Sequence, residues 1–409
     1  MDPFFQSLFA DRIGGANYGK STEIYKFEKI KRAKRQVIAD FPDRPLLDFG
    51  IGENDAVAAE NVRKTMVHEM GLLENRGYAD NGCPEFKEAV ARFMKTTFHV
   101  ELDPLTEINH SIGTKPALAM LPSVFINPSD LTLMTVPGYP VAGTHTKYLG
   151  GKVYHLPLLE ENDFYPDLDG LPHDIKKRAK LLVLNYPNSP TGQVATPAFY
   201  EQVVAFAKKH EIVVVQDAAH IMYSYHTKPL SFLQTPGAKD VGVEVHSLSK
   251  GWDMVGWRLG WVCGNARIVR AFADVKDNSD SGQFLAIQKA AITALDDPSI
   301  PEENCRKYKR RLQKLVDTLR IYGFDCSLPG GTYFLYAKAP KGVEDGPTFQ
   351  NAEEVSQFLI REHSICTVPW DDAGAYLRFS ATYLANDEPS EDDLMTQLAE
   401  RLDAINFTF

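Results

Sequence analysis

Apolar strands alternate with amphipathic helices through the middle of the chain. The apolar runs are DLTLMTV, GKVYHLPL, AKLLVLNY, EIVVVQD and GVEVHSL. Several of them are continuously apolar, which is typical of parallel strands that are covered on both faces. Helical periodicity marks ENVRKTMVHEMG, CPEFKEAVARFMKT, KPALAMLPSVF and PAFYEQVVAFAKKH. The alternation predicts an α/β fold whose mostly parallel, mixed sheet is covered by helices.

The pattern changes towards both ends of the chain. Residues 1–56 contain an arm rich in glycine, aromatic and basic residues, followed by the short strand-like LLDFGIGEND. Residues 268–295 have helical character, and after them come the segments EENCRKYKRRLQKLVDTLRIYG, GGTYFLYAK, AEEVSQFLIRE, YLRFSAT and SEDDLMTQLAERLDAI. We expect a large domain at 57–295 and a smaller α+β domain at 296–409, to which the segment 1–56 contributes.

Composition narrows the possible functions. The 409 residues, 44% of them hydrophobic, suffice for two or three domains of roughly 150 residues. A net charge of −10 gives no reason to expect nucleic-acid or anionic-membrane binding. The five cysteines are scattered without a CxxC pair, which predicts reduced thiols in a cytoplasmic protein and no metal site. Neither a signal-peptide pattern nor an apolar run of about 18 residues is visible.

Chemically useful side chains gather where the predicted strands end. EIVVVQD ends at Asp217, GVEVHSLSK ends at Lys250, and DLTLMTVPGYP ends beside Tyr139. In open α/β sheets, ligands bind outside the carboxyl ends of the strands. A lysine for a Schiff base, a carboxylate for a pyridinium nitrogen and a ring for stacking together suit pyridoxal 5'-phosphate.

The segment SLSKGWDMVGWRLG is similar to the active-site lysine segment of aspartate-aminotransferase-like, fold-type-I pyridoxal-phosphate enzymes. The resemblance covers nearly the whole chain and keeps the motifs in family order, including Arg258, the Pro-Thr-Gly turn and the strand-end Asp217. It implies a large cofactor-binding domain, a smaller α+β domain and ping-pong aminotransferase activity with an amino acid and a 2-oxo acid as substrates.

The resemblance assigns roles at the cofactor ring. Lys250 would form the Schiff base and move the proton at the substrate Cα, Asp217 would pair with the pyridinium nitrogen, and Tyr139 would stack on the ring. The alternatives are a solvated lysine, a helix-capping acid and a core tyrosine.

The resemblance also implies a phosphate cup at the start of the helix KPALAMLPSVF, where free N–H groups and the helix dipole favour an anion. The residues it assigns to this cup are Gly113, Thr114, Lys115, Ser247, Ser249 and Arg258. Simple helix capping and a structural ion pair are the alternatives for the helix start and for Arg258.

Two departures from the family pattern concern the donor to the phenolate oxygen of the cofactor. The family has a tyrosine where this chain has His220, so an imidazole N–H would donate there, unless the histidine is structural. The family has Asn directly before Pro-Thr-Gly, whereas here Ser189 stands there and Asn188 precedes it. Either residue is a candidate donor, and Ser189–Pro190 is a candidate cis peptide bond.

Substrate and partner contacts follow from the same resemblance. Arg378 in YLRFSAT would bind the substrate α-carboxylate through its planar fork, and the backbone of Gly52 would lie against it. Tyr78 resembles a tyrosine that reaches the phosphate of the neighbouring subunit, which implies a homodimer with shared sites.

Overall similarity of the arm and of the GIGEND and GGTYFLY segments is greatest to the LL-diaminopimelate aminotransferases of bacteria and plants. Such a substrate has a zwitterionic far end, for which Tyr25, Lys26, Asp80 and Asn81 are candidate contacts; the alternative is that they are dimer-interface residues. An aspartate, alanine or aromatic aminotransferase and a C–S β-lyase of the same fold are the other candidate functions.

Overall fold

A seven-stranded sheet forms the centre of the protein. The computed structural model describes residues 3–20 and 26–409. The strands, in spatial order, are Ile108–Ser111, Gly260–Gly264, Gly242–Ser247, Val213–Asp217, Ala179–Asn185, Leu131–Val136 and Lys152–Pro157. Neighbouring strands are parallel except around Gly260–Gly264, which runs antiparallel to both of its neighbours. The predicted mostly parallel, mixed sheet is therefore confirmed.

The strand Ala179–Asn185 shows why the apolar runs are continuous. Leu182 and Leu184 belong to one hydrophobic core, whereas Leu181 and Val183 belong to another. Because successive side chains of a strand point to opposite faces, both faces of the sheet are covered by packed apolar side chains. The two strands that the pattern did not predict, Ile108–Ser111 and Gly260–Gly264, are short and carry polar or glycine residues.

Helices cover both faces of this sheet. The helices of the large part, in chain order, are Glu60–Glu69, Pro84–Phe98, Thr114–Phe125, Val141–Tyr148, His173–Arg178, Pro197–His210, Ala238–Val241, Ala266–Lys276 and Leu285–Leu295. The expectation of one helical stretch over 268–295 is wrong, because a turn separates the last two helices. Gly282 in that turn has φ +80°, and a Cβ there would lie 2.2 Å from the carbonyl oxygen of Ala79.

A smaller α+β part joins the two ends of the chain. Its three-stranded antiparallel sheet has the order Val368–Trp370, Tyr376–Ser380 and Phe334–Lys338. Two further strand pairs are Leu47–Asp48 with Ile365–Cys366, and Gly342–Val343 with Phe407–Thr408. Its long helices are Lys26–Asp40, Ser299–Ile321, Ala352–His363 and Glu388–Leu402, and Pro3–Gln6 is a short helix at the start of the chain.

The helix Lys26–Asp40, which the pattern assigned only to an arm, packs on Ala352–His363. The large hydrophobic core contains residues from Ala58 to Ile300, and that of the smaller part contains residues from Leu47 to Ile405. The boundaries at 56 and 295 stay predictions. Among the described helices, none has the length and apolarity needed to cross a membrane.

Candidate active site

A cavity of about 290 Å³ lies where the carboxyl ends of the central strands meet the smaller part. Most of the residues predicted from the sequence line it: Gly52, Thr114, Lys115, Tyr139, Ser189, Asp217, His220, Ser247, Ser249, Lys250, Arg258 and Arg378. Four further lining residues were not predicted: Asn185, Ala219, Val255 and Phe334. The cavity thus brings together a lysine, a carboxylate, two arginines, hydroxyls and aromatic rings.

Lys250 follows the strand Gly242–Ser247, and its amine points to the smaller part. The Nζ donates a hydrogen bond of 2.9 Å to the carbonyl oxygen of Gly52. Burial lowers the pKa of Lys250 to about 8; the carboxylate of Glu53 opposes this shift, and the guanidinium groups of Arg258 and Arg378 add to it. A sizeable fraction of the amine is therefore uncharged near neutral pH and able to act as a nucleophile or a base.

Asp217 ends the strand Val213–Asp217 with its side chain in the cavity. Its Oδ1 accepts a hydrogen bond of 3.0 Å from the backbone N–H of Ala219. Burial raises the pKa of Asp217 to about 6, although this hydrogen bond opposes the shift. A cation placed beside this carboxylate would keep it ionised. Asn185 fixes the local backbone, since its Nδ2 donates to the carbonyl oxygen of Asp217 at 3.0 Å.

The N-terminus of the helix Thr114–Phe125 faces Arg258 and forms a cationic cup with it. Gly113 precedes this helix with φ +78°, and a Cβ there would lie 2.3 Å from Nη2 of Arg258. The Nη1 of Arg258 donates to Oγ of Ser249 at 2.9 Å. Free N–H groups at a helix start, hydroxyls and a guanidinium suit a phosphate. Gly113 itself does not line the cavity but permits this close approach.

The backbone of Arg258 is in the left-handed conformation, with φ +57°, and is bound by the side chain of Gln283. The Nε2 of Gln283 donates to the carbonyl oxygens of Trp257 and Arg258, both at 2.7 Å. The hydroxyl of Ser247 accepts from the backbone N–H of Ser249 at 3.0 Å. The cup is therefore held by contacts from several segments of the chain.

The two candidate donors of the turn, Asn188 and Ser189, differ in their surroundings. Ser189 lines the cavity, whereas Asn188 does not and is fully buried. The Oδ1 of Asn188 accepts from the backbone N–H and the hydroxyl of Thr191, at 3.2 and 2.7 Å. The Nδ2 of Asn188 is buried and has no hydrogen-bond partner among the described residues, so its role as a cofactor ligand stays a prediction beside that of Ser189. The Ser189–Pro190 peptide bond is cis, in agreement with the expectation.

His220 lines the cavity with a neutral imidazole. Burial, together with the positive charges of Lys250 and Arg378, holds its pKa well below the ordinary value. Its Nδ1 is buried and has no hydrogen-bond partner among the residues that the structure describes. The ring packs edge-on against Tyr333, with centroids 5.1 Å apart. A neutral imidazole carries one N–H donor, so the geometry permits the donor role predicted for it.

Arg378 reaches the cavity from the smaller part, on the strand Tyr376–Ser380. It is 6% exposed, and its Nη2 donates to the carbonyl oxygen of Gly50 at 3.2 Å. Its Nε has no partner within the described ranges, and its guanidinium lies 4.1 Å over the ring of Phe334. Burial lowers the pKa of Arg378 to about 10, which leaves it charged at neutral pH. A buried guanidinium that pairs with no carboxylate among the described residues suits a carboxylate ligand.

Tyr78, predicted for the phosphate of a neighbouring subunit, and Asp80 and Asn81, predicted for the far end of the substrate, do not line this cavity. Tyr78 is 86% exposed. Asn81 donates to Asp277 at 2.6 Å and accepts from Asn109 at 2.8 Å. The carbonyl oxygen of Asp80 accepts from the buried Lys276. Tyr25 and the side chain of Lys26 lie outside the described residues. Roles for all of these in catalysis stay predictions.

Of the lining residues that sequence analysis missed, some could have been predicted from the sequence and others could not. Asn185 is the last residue of the strand Ala179–Asn185, so the strand-end rule that selected Asp217 also points to it. Phe334 begins the strand Phe334–Lys338 and was considered only as part of a strand. Val255 and Ala219 offer no polar signal. The described chain contains no cluster of His, Cys, Asp or Glu that could hold a metal ion.

The chain belongs to the aminotransferase class I and II family, whose pattern matches residues 44–391. It is therefore a pyridoxal-phosphate-dependent aminotransferase of fold type I. It is 53% identical to an LL-diaminopimelate aminotransferase of Methanocaldococcus jannaschii and 51% identical to one of Methanococcus maripaludis, with all of both chains covered in each case.

Solved structures agree with this family. Substrate-bound BacF from Bacillus subtilis has a TM-score of 0.85 and 29% identity, over 95% of this chain and 97% of that one. An aminotransferase from Staphylococcus aureus has a TM-score of 0.81 and 29% identity, over 88% of this chain and 95% of that one.

The residues present fit pyridoxal phosphate. The lysine amine, the buried carboxylate and the cationic cup correspond to its aldehyde, its ring nitrogen and its phosphate. Two buried nitrogen atoms at the cavity, Nδ1 of His220 and Nε of Arg378, also have no partner in the described part of the chain. Buried polar atoms are normally paired, so these two atoms indicate a polar ligand.

Proposed function

We propose that this aminotransferase moves an amino group between LL-diaminopimelate, whose keto form cyclises to tetrahydrodipicolinate, and 2-oxoglutarate, on the route to lysine. The proposed substrate is based on the 53% and 51% identity to two LL-diaminopimelate aminotransferases over the whole length of the chain. Such identity without gaps in coverage supports a shared substrate as well as a shared fold.

The cofactor, when bound, supplies an electron sink for the pair released when the substrate Cα loses its proton. Asp217 would hold its ring nitrogen, Tyr139 would stack on its ring, and the cup at Thr114 and Arg258 would hold its phosphate. Asn188, Ser189 and His220 are the candidate donors to its phenolate oxygen. The placement of most of these side chains around one cavity supports these roles.

Lys250 would attach the cofactor and then move the proton at the substrate Cα. Its lowered pKa of about 8 supports both tasks, because an uncharged amine is required for each. Arg378 would bind the substrate α-carboxylate through its guanidinium, and its unpaired Nε supports that role. The buried position of the arginine would also exclude water from this contact.

The active unit would be a cytoplasmic homodimer. Tyr78 is 86% exposed and lies outside the cavity of its own chain, which suits a role in the cavity of a second copy. Exposed apolar side chains at Val67, Met70 and Leu73 precede it in sequence, and such side chains favour burial in an interface. All five cysteines are free thiols, which supports a reducing compartment.

A comparison of amino donors tests the substrate. Purified protein with pyridoxal phosphate and 2-oxoglutarate is given LL-diaminopimelate, aspartate, alanine or phenylalanine, and glutamate formation is measured; glutamate with tetrahydrodipicolinate tests the reverse direction. We expect LL-diaminopimelate to have the largest kcat/KM. Equal or faster turnover of aspartate or phenylalanine would reject the proposed substrate, and pyruvate and ammonia formed without 2-oxoglutarate would indicate a lyase.

A further inference from the structure

The segment 52–55, whose sequence is GEND and which is called the GEND motif here, binds both the side-chain amine and the backbone carbonyl of Lys250. The carbonyl oxygen of Gly52 accepts from the amine of Lys250 at 2.9 Å. The side chain of Asn54 donates through Nδ2 to the backbone carbonyl oxygen of Lys250 at 2.7 Å. One short segment therefore binds both the side-chain amine and the backbone carbonyl of the same lysine.

A second donor binds the same carbonyl oxygen. The hydroxyl of Tyr223 donates to the oxygen of Lys250 at 2.6 Å and lies 3.2 Å from Nδ2 of Asn54. The ring of Tyr223 is fully buried between those of Tyr308 and Tyr333, with centroids 5.3 and 5.5 Å away. The direction of this hydroxyl is thus fixed by packing.

The turn that follows Lys250 is held from the other side. Nδ2 of Asn54 also donates to Oδ1 of Asp253 at 2.5 Å, and Nδ2 of Asn304 donates to Oδ2 of that carboxylate at 2.7 Å. Asn304 also donates to the carbonyl oxygen of Gly251 at 3.0 Å. The turn on the C-terminal side of Lys250 is therefore held through the carbonyl oxygen of Gly251 and the carboxylate of Asp253.

The segment that carries Asn54 is itself anchored through Asp55. Oδ2 of Asp55 pairs with Nη1 of Arg311 at 2.8 Å, and Oδ1 accepts from the hydroxyl of Tyr308 at 2.8 Å. The side chain of Arg311 is 2% exposed, and Glu391 pairs with it from the C-terminal helix. Buried, mutually paired charges of this kind favour one arrangement of the segments that they join.

We propose that Asn54 and Tyr223 are positioning residues for Lys250. They bind its backbone carbonyl together, and the Asp55–Arg311 pair anchors the segment that carries Asn54, so that the amine stays at the cavity. The inference rests on the proposed role of Lys250 as the lysine that attaches the cofactor. It assigns a function to the GEND motif beyond the contact of Gly52.

Two cofactor forms separate positioning of the lysine from general support of the cavity. Pyridoxal phosphate joins its aldehyde carbon to the lysine nitrogen with loss of water, whereas pyridoxamine phosphate binds without a bond to the lysine. Asn54→Ala, Tyr223→Phe and the double variant are prepared without cofactor. The rate of pyridoxal phosphate attachment is followed by absorbance, and pyridoxamine phosphate affinity by fluorescence titration.

We expect each single variant to slow attachment about fivefold, the effect of losing one hydrogen bond, and the double variant to slow it more than either. Affinity for pyridoxamine phosphate should stay within about twofold of the parent. Asn61→Ala and Tyr322→Phe are matched controls, because their side chains donate to exposed carboxylates of Asp297 and Asp403 instead. Tyr223→Phe keeps the packed ring, so it tests the inference even where Asn54→Ala fails to fold.

Two results would overturn the inference. The first is unchanged attachment of pyridoxal phosphate in all three variants. The second is an equal loss of affinity for both cofactor forms, which would indicate that Asn54 and Tyr223 have only a structural role. Either result would reject the inference and leave the proposed function unaffected. A parent protein that captures no pyridoxal phosphate on Lys250 would instead reject the proposed function, and this inference with it.

Discussion

The two halves of the predicted site differ in where their residues come from. The cofactor half consists of strand ends and the helix start at Thr114, and its side chains line one cavity of a single chain. The other half was predicted for the neighbouring subunit's phosphate and for the far end of the substrate. It comes from the arm and the loop around Tyr78, and Tyr78 and Asn81 lie outside that cavity. A sheet fixes the first half by its own geometry, whereas the second half depends on the proposed second copy of the chain.

The largest expected effect in the cofactor half is that of Asp217→Asn. The amide is isosteric but cannot neutralise a protonated ring nitrogen, so kcat should fall by roughly 10²-fold or more. The measurement is single-turnover kinetics with a saturating amino donor. Asp240→Asn, an exposed carboxylate paired with Lys208, is the control and should leave kcat unchanged. A kcat for Asp217→Asn within threefold of the parent would exclude Asp217 from this role.

The pH dependence of cofactor attachment tests the same half through Lys250. Its pKa is lowered to about 8, so the reactive uncharged amine increases as pH rises through that value. Asp217, with a pKa of about 6, is already ionised there. The attachment rate of cofactor-free protein should therefore rise about tenfold between pH 7 and pH 9 and then level off. A rate that levels off only above pH 10 would show that the lysine is not desolvated.

Gly113→Ala tests the phosphate cup. A methyl group there would meet Nη2 of Arg258 at 2.3 Å, in a backbone conformation that alanine disfavours. We expect the affinity for pyridoxal phosphate to fall about tenfold, because the arginine must leave the cup. Gly256→Ala is a matched control, since a Cβ at that position meets no atom within 4 Å. Equal affinities for the two variants would show that Gly113 and Arg258 do not form the cup.

Tyr78→Phe addresses the second half and has the smallest expected effect. Loss of one hydroxyl from the phosphate of the partner's site should weaken cofactor affinity about fivefold. Tyr148→Phe, at another partly exposed tyrosine, should change nothing. Light scattering on the same samples gives the oligomeric state. A monomeric protein, or a dimer whose cofactor affinity is the same in Tyr78→Phe, would contradict the proposed role of Tyr78 in the partner's site.

Sequence analysis located the cofactor half because strand ends are visible in the pattern of apolar runs. Asp217 and Lys250 each follow such a run, and parallel pairing brings those ends to one edge. The choice between Asn188 and Ser189 stays open because family alignment and side-chain chemistry disagree. The hydrogen bonds from Thr191 use only Oδ1 of Asn188, and its Nδ2 has no partner among the described residues. Asn185 was missed although it ends a run in the same way.

Other features depend on contacts that a local pattern does not contain. The break between Ala266–Lys276 and Leu285–Leu295 is required by Gly282, which approaches Ala79 from a distant part of the sequence. The hydrogen bonds of Asn54 and Tyr223 to Lys250 join three segments that are separated by many residues. Such contacts depend on the fold, so the local sequence of the GEND motif does not predict the proposed role of Asn54.

The most direct test of the account is to find which lysine holds the cofactor. The protein loaded with pyridoxal phosphate is reduced with borohydride and digested, and the labelled peptide is sequenced by mass spectrometry. The account predicts one label per chain, on Lys250, and no label in Lys250→Ala at the same cofactor concentration. A label on another lysine of the parent protein, or an undiminished label in Lys250→Ala, would contradict it.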